Sequence, residues 1–419
     1  MTELRADIIV VGAGPAGLAA ASCAAESGRR VIVLDESPRP GGQIWRHRSR
    51  DSLPPVARRW LERFDASRAQ LISGAGVVDI TQGSVTADRN GETIVAHADA
   101  IILCVGAREL FLPFPGWTLP GVVGVGGGQA LLKAGTDVRG KRAVIAGTGP
   151  LMLPVAAAFA RAGADVQLVA EQAPFGRMVG FGIGLWRSPA KILDAVRYRS
   201  AFARTPYAFG TWVVRADGED TVREVVVTDG RNTRTLPCDV LCVGYNLVPS
   251  VELPRLAGCS LDDRGCVIVD ERQQTSQVGV YCAGETTGLG GVDAALVEGQ
   301  IAGYAAAGAT TRAAQLFGAR HAQRAFAHRL AHTFALREEL KSLPDAETIV
   351  CRCEDVRFGQ LKACTSQREA KLHTRAGMGP CQGRICGAAL RHHFGWQPDT
   401  IRCPVAPVPV STLASANPE

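Results

Sequence analysis

Six cysteines follow Val350, and four of them are spaced for a shared inorganic centre. Cys351-Arg352-Cys353 puts two thiols at i and i+2, which point to one side of an extended segment. Cys381 and Cys386 sit in the run 377–386, Gly-Met-Gly-Pro-Cys-Gln-Gly-Arg-Ile-Cys. Glycines around Cys381 free backbone N–H groups to approach thiolate and sulfide atoms, which tunes a potential. The pattern C-x-C-x27-C-x4-C supplies four thiolates, a donor set for either a [2Fe-2S] cluster or structural zinc. Spacing alone leaves both open. Cys364 and Cys403 fall outside the pattern and are read as non-ligands.

A second chemistry is written at the other end of the chain. Residues 7–11 form a short apolar run of strand type, followed by Gly12-Ala13-Gly14-Pro15-Ala16-Gly17 and an alanine-rich helix to about Ser27. A second strand, 30–34, ends in Asp35 with Glu36 behind it. Glycines let backbone approach a pyrophosphate, and a helix N-terminus offers free N–H groups and a positive dipole end. Asp35 stands eighteen residues after Gly17, where a carboxylate can accept hydrogen bonds from a ribose. The order strand, glycine turn, helix, strand, acid predicts a dinucleotide site.

Pro40-Gly41-Gly42-Gln43 follows at once, and two glycines allow a tight pass beside a bound cofactor. In this position the segment resembles the PGGQ stretch of the two-dinucleotide-domain flavoproteins, the group that includes thioredoxin reductase. That resemblance implies FAD rather than NAD in the first site. It also assigns roles to two later strands. Residues 98–108 end in Gly106-Ala107-Arg108 and correspond to the strand leading out of the FAD domain. Residues 275–285 end in Gly284-Glu285, where the family has Gly-Asp contacting the ribityl or pyrophosphate region. Glu285 keeps the carboxylate but adds a methylene. Asp293, at the start of the next helix, reads equally as a helix-start acid or a cofactor contact.

A second nucleotide-type unit lies between these halves. A strand at 142–146 leads into Gly147-Thr148-Gly149-Pro150-Leu151-Met152, a helix to about Ala162, and a strand at 165–170 followed by Glu171. Met152 stands where the fingerprint has its third glycine, the residue that permits close helix–strand packing. The expectation is a splayed helix or a narrowed pocket, which leaves NAD(H) binding at Gly147 and Gly149 open. No arginine cluster marks a reader of a 2′-phosphate.

Other chemistries are disfavoured. Disulfide reductases need a C-x-x-C or C-x4-C pair beside the flavin; between Lys141 and Tyr245 there is only Cys238 and Cys242, within an apolar strand. Cys104, Cys238, Cys242 and Cys282 read as small core residues. No His/carboxylate constellation suggests a general base, so no catalytic acid–base residue is assigned. A net charge of +6 without a basic stripe argues against nucleic acid. No apolar run is long enough for a membrane span. No targeting signal is apparent at the N-terminus, which points to the cytoplasm and to cysteines used as ligands or core rather than disulfides.

The elements that must position these groups form an α/β chain with two Rossmann-like dinucleotide-binding domains, one inserted in the other, and a small, mainly helical cysteine domain. The expected boundaries are 1–115 with 246–309 for the FAD domain and 116–245 for the insertion. A helical connector at 310–344 is stopped by Pro344, the cysteine domain spans 345–397, and an extended tail without regular helix fills 398–419, where Pro404, Pro407 and Pro409 stand.

The cysteine segment resembles the bacterioferritin-associated-ferredoxin type of [2Fe-2S] domain. CRCEDV and GMGPCQGRIC look like the C-terminal domain of opine oxidase A or alpha subunits, the B subunit of hydrogen cyanide synthase and D-hydroxyproline dehydrogenase subunits. Sarcosine oxidase alpha subunits share the GxGxCQGR part. The likeness spans nearly the whole chain, including residues 112–135. It implies a [2Fe-2S] cluster on Cys351, Cys353, Cys381 and Cys386, and an electron-relay subunit. Its partner would be a D-amino-acid-oxidase-like subunit with its own flavin, oxidising a C–N bond. An interface FMN is a further component the resemblance allows, as is a small ferredoxin-like subunit. Opines, D-hydroxyproline, proline, sarcosine and glycine all stay open as substrates. A stand-alone NADH-dependent reductase and a non-catalytic nucleotide-binding scaffold are the alternatives.

Overall fold

The computed structural model describes residues 1–187, 189–397 and 401–416. It divides into two units, one made of residues 1–108, 249–328 and the tail from 400, the other of 109–248 and 329–399.

In the first unit the runs Ile8–Val11 and Val31–Asp35 are buried at every position. Strands apolar on both faces belong in the interior of a parallel sheet, flanked on both sides. They do so here: the order is Val280–Cys282, Ala100–Leu103, Ile8–Val11, Val31–Asp35, Gln70–Ser73, all parallel. On one face lies the alanine-rich helix Pro15–Glu26, and against it the helix Gly291–Ala306. The two helices touch backbone to backbone. A Cβ at Gly299 would stand 2.2 Å from the Ala16 carbonyl oxygen, and one at Gly303 2.2 Å from that of Ala20. A smaller four-stranded sheet, Thr2–Arg5, Glu92–His97, Ser84–Arg89 and Gly76–Thr81, packs on the other face.

The tail crosses this second sheet. Val405 N–H donates to Val78 O at 3.0 Å, and Thr412 Oγ donates to Asp88 at 2.6 Å. The prolines predict a tail extended throughout, yet Val410–Ala416 is helical. Pro409 precedes that helix, where the missing N–H costs nothing.

The second unit repeats the plan. Its parallel sheet runs Val122–Gly124, Val240–Tyr245, Arg142–Thr148, Asp165–Glu171, Tyr207–Phe209, with the helix Met152–Arg161 on one face. A three-stranded antiparallel sheet, 212–237, covers the other face together with Leu340 and Leu343. The predicted connector is only partly helical. Phe317–Thr333 ends well before Pro344, residues 334–337 run without helix, and Glu338–Ser342 is a single 3-10 segment.

The cysteine segment falls in this unit too. The short strand Ile349–Cys351 pairs antiparallel with Val356–Arg357, and the helices Gln367–Thr374 and Cys386–Phe394 follow. Val350, Phe358, Leu361, Ala370 and Leu390 fill a core of their own. Trp117 anchors the segment by donating its Nε1–H to Ile349 O at 2.6 Å, while Arg352 lies over the indole ring at 5.5 Å. No described helix is long and apolar enough to cross a membrane.

Candidate cofactor sites

The glycine turn of the first unit is built by close approach. Gly12 has φ +99°, and a Cβ there would meet the Cys104 carbonyl oxygen at 2.4 Å; at Gly17 it would meet Gly12 O at 1.8 Å. Both positions are therefore closed to any side chain. Gly14 differs, because its Cβ would find only the Gly42 Cα, at 3.9 Å. Gly41 N–H donates to Ala13 O at 2.8 Å and so locks the segment 40–43 onto the turn. Pro15 opens the helix and Ala16 is buried under it, so the helix N-terminus, Gly14 and Gly42 share one face; Gln43 is exposed beside them.

Asp35 is tied into this turn. Its Oδ2 accepts Ala13 N–H at 2.5 Å and its Oδ1 accepts Ser37 N–H at 2.7 Å. Each carboxylate oxygen has two lone pairs, so a hydroxyl can still be taken. Glu36 is exposed next to it.

Glu285 stands at the end of strand Val280–Cys282. Its Oε1 accepts Gly291 N–H at 2.8 Å, while its Oε2 is buried with no hydrogen-bond partner. Burial pushes this carboxyl up to about 7. A buried acceptor left bare costs about 1–3 kcal/mol, so a donor group is what this site lacks. Gly284 (φ +82°) precedes it and is packed against Ala16.

Two carboxylates that sequence reasoning missed shape the same region. Glu298, almost fully buried, accepts Gly284 N–H at 3.1 Å and Thr287 Oγ–H at 2.8 Å, and pairs with Arg324 at 3.1 Å. Glu252 forms a two-pronged ion pair with Arg108, at 2.8 and 3.1 Å. Arg108 thus spends its guanidinium at least partly on structure. Gly106 (φ +68°) accepts Ser250 N–H and Thr286 Oγ–H through its carbonyl, and Ala107 starts the next short strand.

In the second unit Gly147 (φ +131°) fits only as glycine, since a Cβ would lie 1.9 Å from Gly244 O. Met152 is completely buried in the core under its helix. Glu171 is completely buried as well. Its Oε1 accepts Thr148 Oγ–H at 2.6 Å and Ala173 N–H at 2.8 Å, and its Oε2 accepts Gly149 N–H at 2.9 Å. Burial raises it to about 7.

The four spaced cysteines meet in two pairs. The thiols of Cys351 and Cys386, both buried, shift each other's ionisation, and nearer the surface the Cys381 thiol shifts that of Cys353. Backbone N–H groups of Cys353, Glu354 and Gly377 are directed at the Cys351 sulfur, and that of Cys381 at Cys353. The neighbouring Cys386 thiol pulls that of Cys351 down to about 5, and the same neighbourhood pushes Cys386 up. A Cβ at Gly379 would overlap the Cys353 Cβ at 2.2 Å, so glycine is what lets the loop 377–383 close over the pair. Among the described residues no three His, Cys, Asp or Glu side chains converge in a metal-holding arrangement.

A family model for pyridine nucleotide-disulphide oxidoreductases matches residues 6–310. The chain belongs to that family. It is 33% identical to the A subunit of opine oxidase from Agrobacterium tumefaciens (strain Ach5), over 92% of this chain and 84% of that protein. The HcnB subunit of hydrogen cyanide synthase from Pseudomonas aeruginosa is 30% identical, over 98% and 99%. Of solved structures, L-proline dehydrogenase from P. horikoshii superposes with a TM-score of 0.69 at 18% identity, covering 99% of this chain and 80% of that one. At that identity the likeness is one of fold.

In this member of the pyridine nucleotide-disulphide oxidoreductase family the two cysteines at the strand Val240–Tyr245 are not a reactive pair. Cys238 and Cys242 are completely buried, and burial raises both, Cys238 to about 11. The thiolate is the reactive form, so neither attacks a disulfide at neutral pH.

Proposed function

We propose that the chain is the FAD- and [2Fe-2S]-containing electron-transfer subunit of a multi-subunit flavin dehydrogenase or oxidase in the cytoplasm. The enzyme would act on the C–N bond of an amino or imino acid of the opine, D-hydroxyproline, proline, sarcosine or glycine type. The partner would be a D-amino-acid-oxidase-like subunit with its own flavin. An interface FMN is a compatible addition, as is a small ferredoxin-like subunit.

One observation carries the reading. A dinucleotide cradle and a four-cysteine segment occur in a single chain that aligns along 92% of its length with the A subunit of opine oxidase. The first unit fits FAD on its own terms, because Gly14 leaves an open face at a helix N-terminus and Glu285 Oε2 is bare. In this reading Gly12, Gly14, Pro15, Ala16 and Gly17 cradle the pyrophosphate, and Asp35 and Glu36 take the ribose. Gly41, Gly42, Gln43, Gly106, Ala107 and Arg108 border the flavin, while Gly284 and Glu285 accept hydroxyls beyond the pyrophosphate. Cys351, Cys353, Cys381 and Cys386 would hold the cluster, whose thiolates the N–H groups around Cys351 would stabilise. Bound there, the flavin would exchange electrons in pairs or singly and the cluster singly.

An anaerobic absorption spectrum of the purified protein tests this, with iron, acid-labile sulfide and zinc assayed on the same sample. Flavin bands with iron and sulfide in equal amounts are expected. Flavin with zinc and no iron would make the cysteine segment structural and sink the relay reading.

A further inference from the structure

In a dinucleotide-binding fold the ligand lies across the carboxyl ends of the strands, over the glycine turn. In the second unit three neighbouring strands end at Tyr245, Thr148 and Glu171. The residues just past the outer two, Asn246 and Gln172, are both taken by the chain itself. Asn246 Nδ2–H donates to Phe334 O at 3.0 Å. Gln172, completely buried, donates from Nε2 to Ala335 O at 3.2 Å and to Thr148 Oγ at 3.0 Å, and its Oε1 accepts Arg337 N–H at 3.2 Å.

Side chains hold the same stretch in place. The Phe334 ring meets Phe181 edge-on, with centroids 5.5 Å apart. The Arg337 guanidinium stacks 4.2 Å over Trp212 and pairs with Glu339 at 2.8 Å. Next to Gln172, Glu171, the acid that would read a ribose, accepts two hydrogen bonds from the glycine turn, at Thr148 and Gly149, and one from Ala173, and has no exposed surface.

We infer that residues 334–337 are a built-in occupant of the second dinucleotide crevice, a peptide strap spanning the strand ends where a nicotinamide dinucleotide would lie. The helix Phe317–Thr333 stops early because the strap must be non-helical to offer its carbonyls to Asn246 and Gln172. The domain keeps its fold and has exchanged its ligand for its own backbone. NADH therefore has no entry at this unit. The inference is independent of what the first unit binds.

Hydrogen exchange on the full-length protein tests it, with and without millimolar NADH. The Arg337 amide should exchange at least tenfold more slowly than in an unfolded chain, and NADH should leave exchange over 147–152 unchanged. An Asn246→Ala, Arg337→Ala double variant should speed exchange over 334–337 while the sheet strands 142–148 and 165–171 keep their protection. NADH-dependent protection of 147–152 in the unaltered protein would overturn the inference. So would an Arg337 amide that exchanges at the unfolded rate.

Discussion

Glu298 accepts the backbone N–H of Gly284 at 3.1 Å, from a side chain only 6% exposed. That bond fixes the strand end from which Glu285 projects. The same carboxylate binds Thr287 and Arg324, so its removal strands the Gly284 N–H and the Arg324 guanidinium, while Thr287 keeps Gly284 O as an acceptor. Glu298→Ala should cost about 3 kcal/mol, read as a lowered urea midpoint. Glu298→Gln, which keeps an acceptor for Gly284, should cost about half of that. An unchanged midpoint in the alanine variant would remove Glu298 from the frame of the site.

The carboxyl of Glu285 is raised by burial to about 7, and that of Glu171 likewise. The folded chain therefore holds these protons at a pH where the unfolded chain has released them. The stability this represents is fully present below the ordinary glutamate range and is lost as pH rises through about 7. Unfolding free energy should fall between about pH 5 and about pH 8, and Glu285→Gln should shrink that fall. A fall of the same size in the variant would show that Glu285 does not titrate there. A hydroxyl donated to Oε2 favours the ionised form, so flavin should be retained more tightly as pH rises over the same interval.

Gly14 separates cofactor binding from folding, because a Cβ there meets no more than the Gly42 Cα, at 3.9 Å. Gly14→Val should yield a folded protein with an unshifted urea midpoint and without flavin. Gly17→Ala, whose Cβ would overlap Gly12 O, should instead damage the fold itself. Normal flavin content in Gly14→Val would place the cofactor elsewhere.

Cys351→Ser and Cys381→Ser each take one sulfur from a different pair. Iron and acid-labile sulfide should be lost in both while flavin remains. Full iron retention in either variant would sink the assignment of that residue. Cys364→Ser should change neither.

The two glycine turns and their parallel sheets were legible because they rest on local order: buried β-branched runs, glycines at fixed offsets, an acid at the next strand end. The residues that tie these pieces together were not. Glu252 finds Arg108, and Glu298 finds Gly284, only once distant segments are brought side by side. Gly299 and Gly303 carried a signal, small residues four apart in a helix, which reads as helix-to-helix contact only when the alanines of the first helix are taken as its partner. The strap was hidden by composition: residues 310–343 have helical spacing throughout, and the break after Thr333 answers to Gln172 and Asn246, far back in the chain. The tail helix at Val410–Ala416 was masked by the prolines before it.

The indole of Trp117 grips Ile349 O two residues before the first of the four cysteines. Electron tunnelling falls off steeply with separation, so a carrier on a loose tether would spend most of its time out of range. Ile385, next to Cys386, is packed into the same apolar layer as Trp117. The cysteine segment is thus held at both ends of its sulfur set against the apolar layer that lines one sheet. A redox centre held there would keep a constant gap to anything docked on that sheet, and its rate would be set by the docking partner rather than by a search.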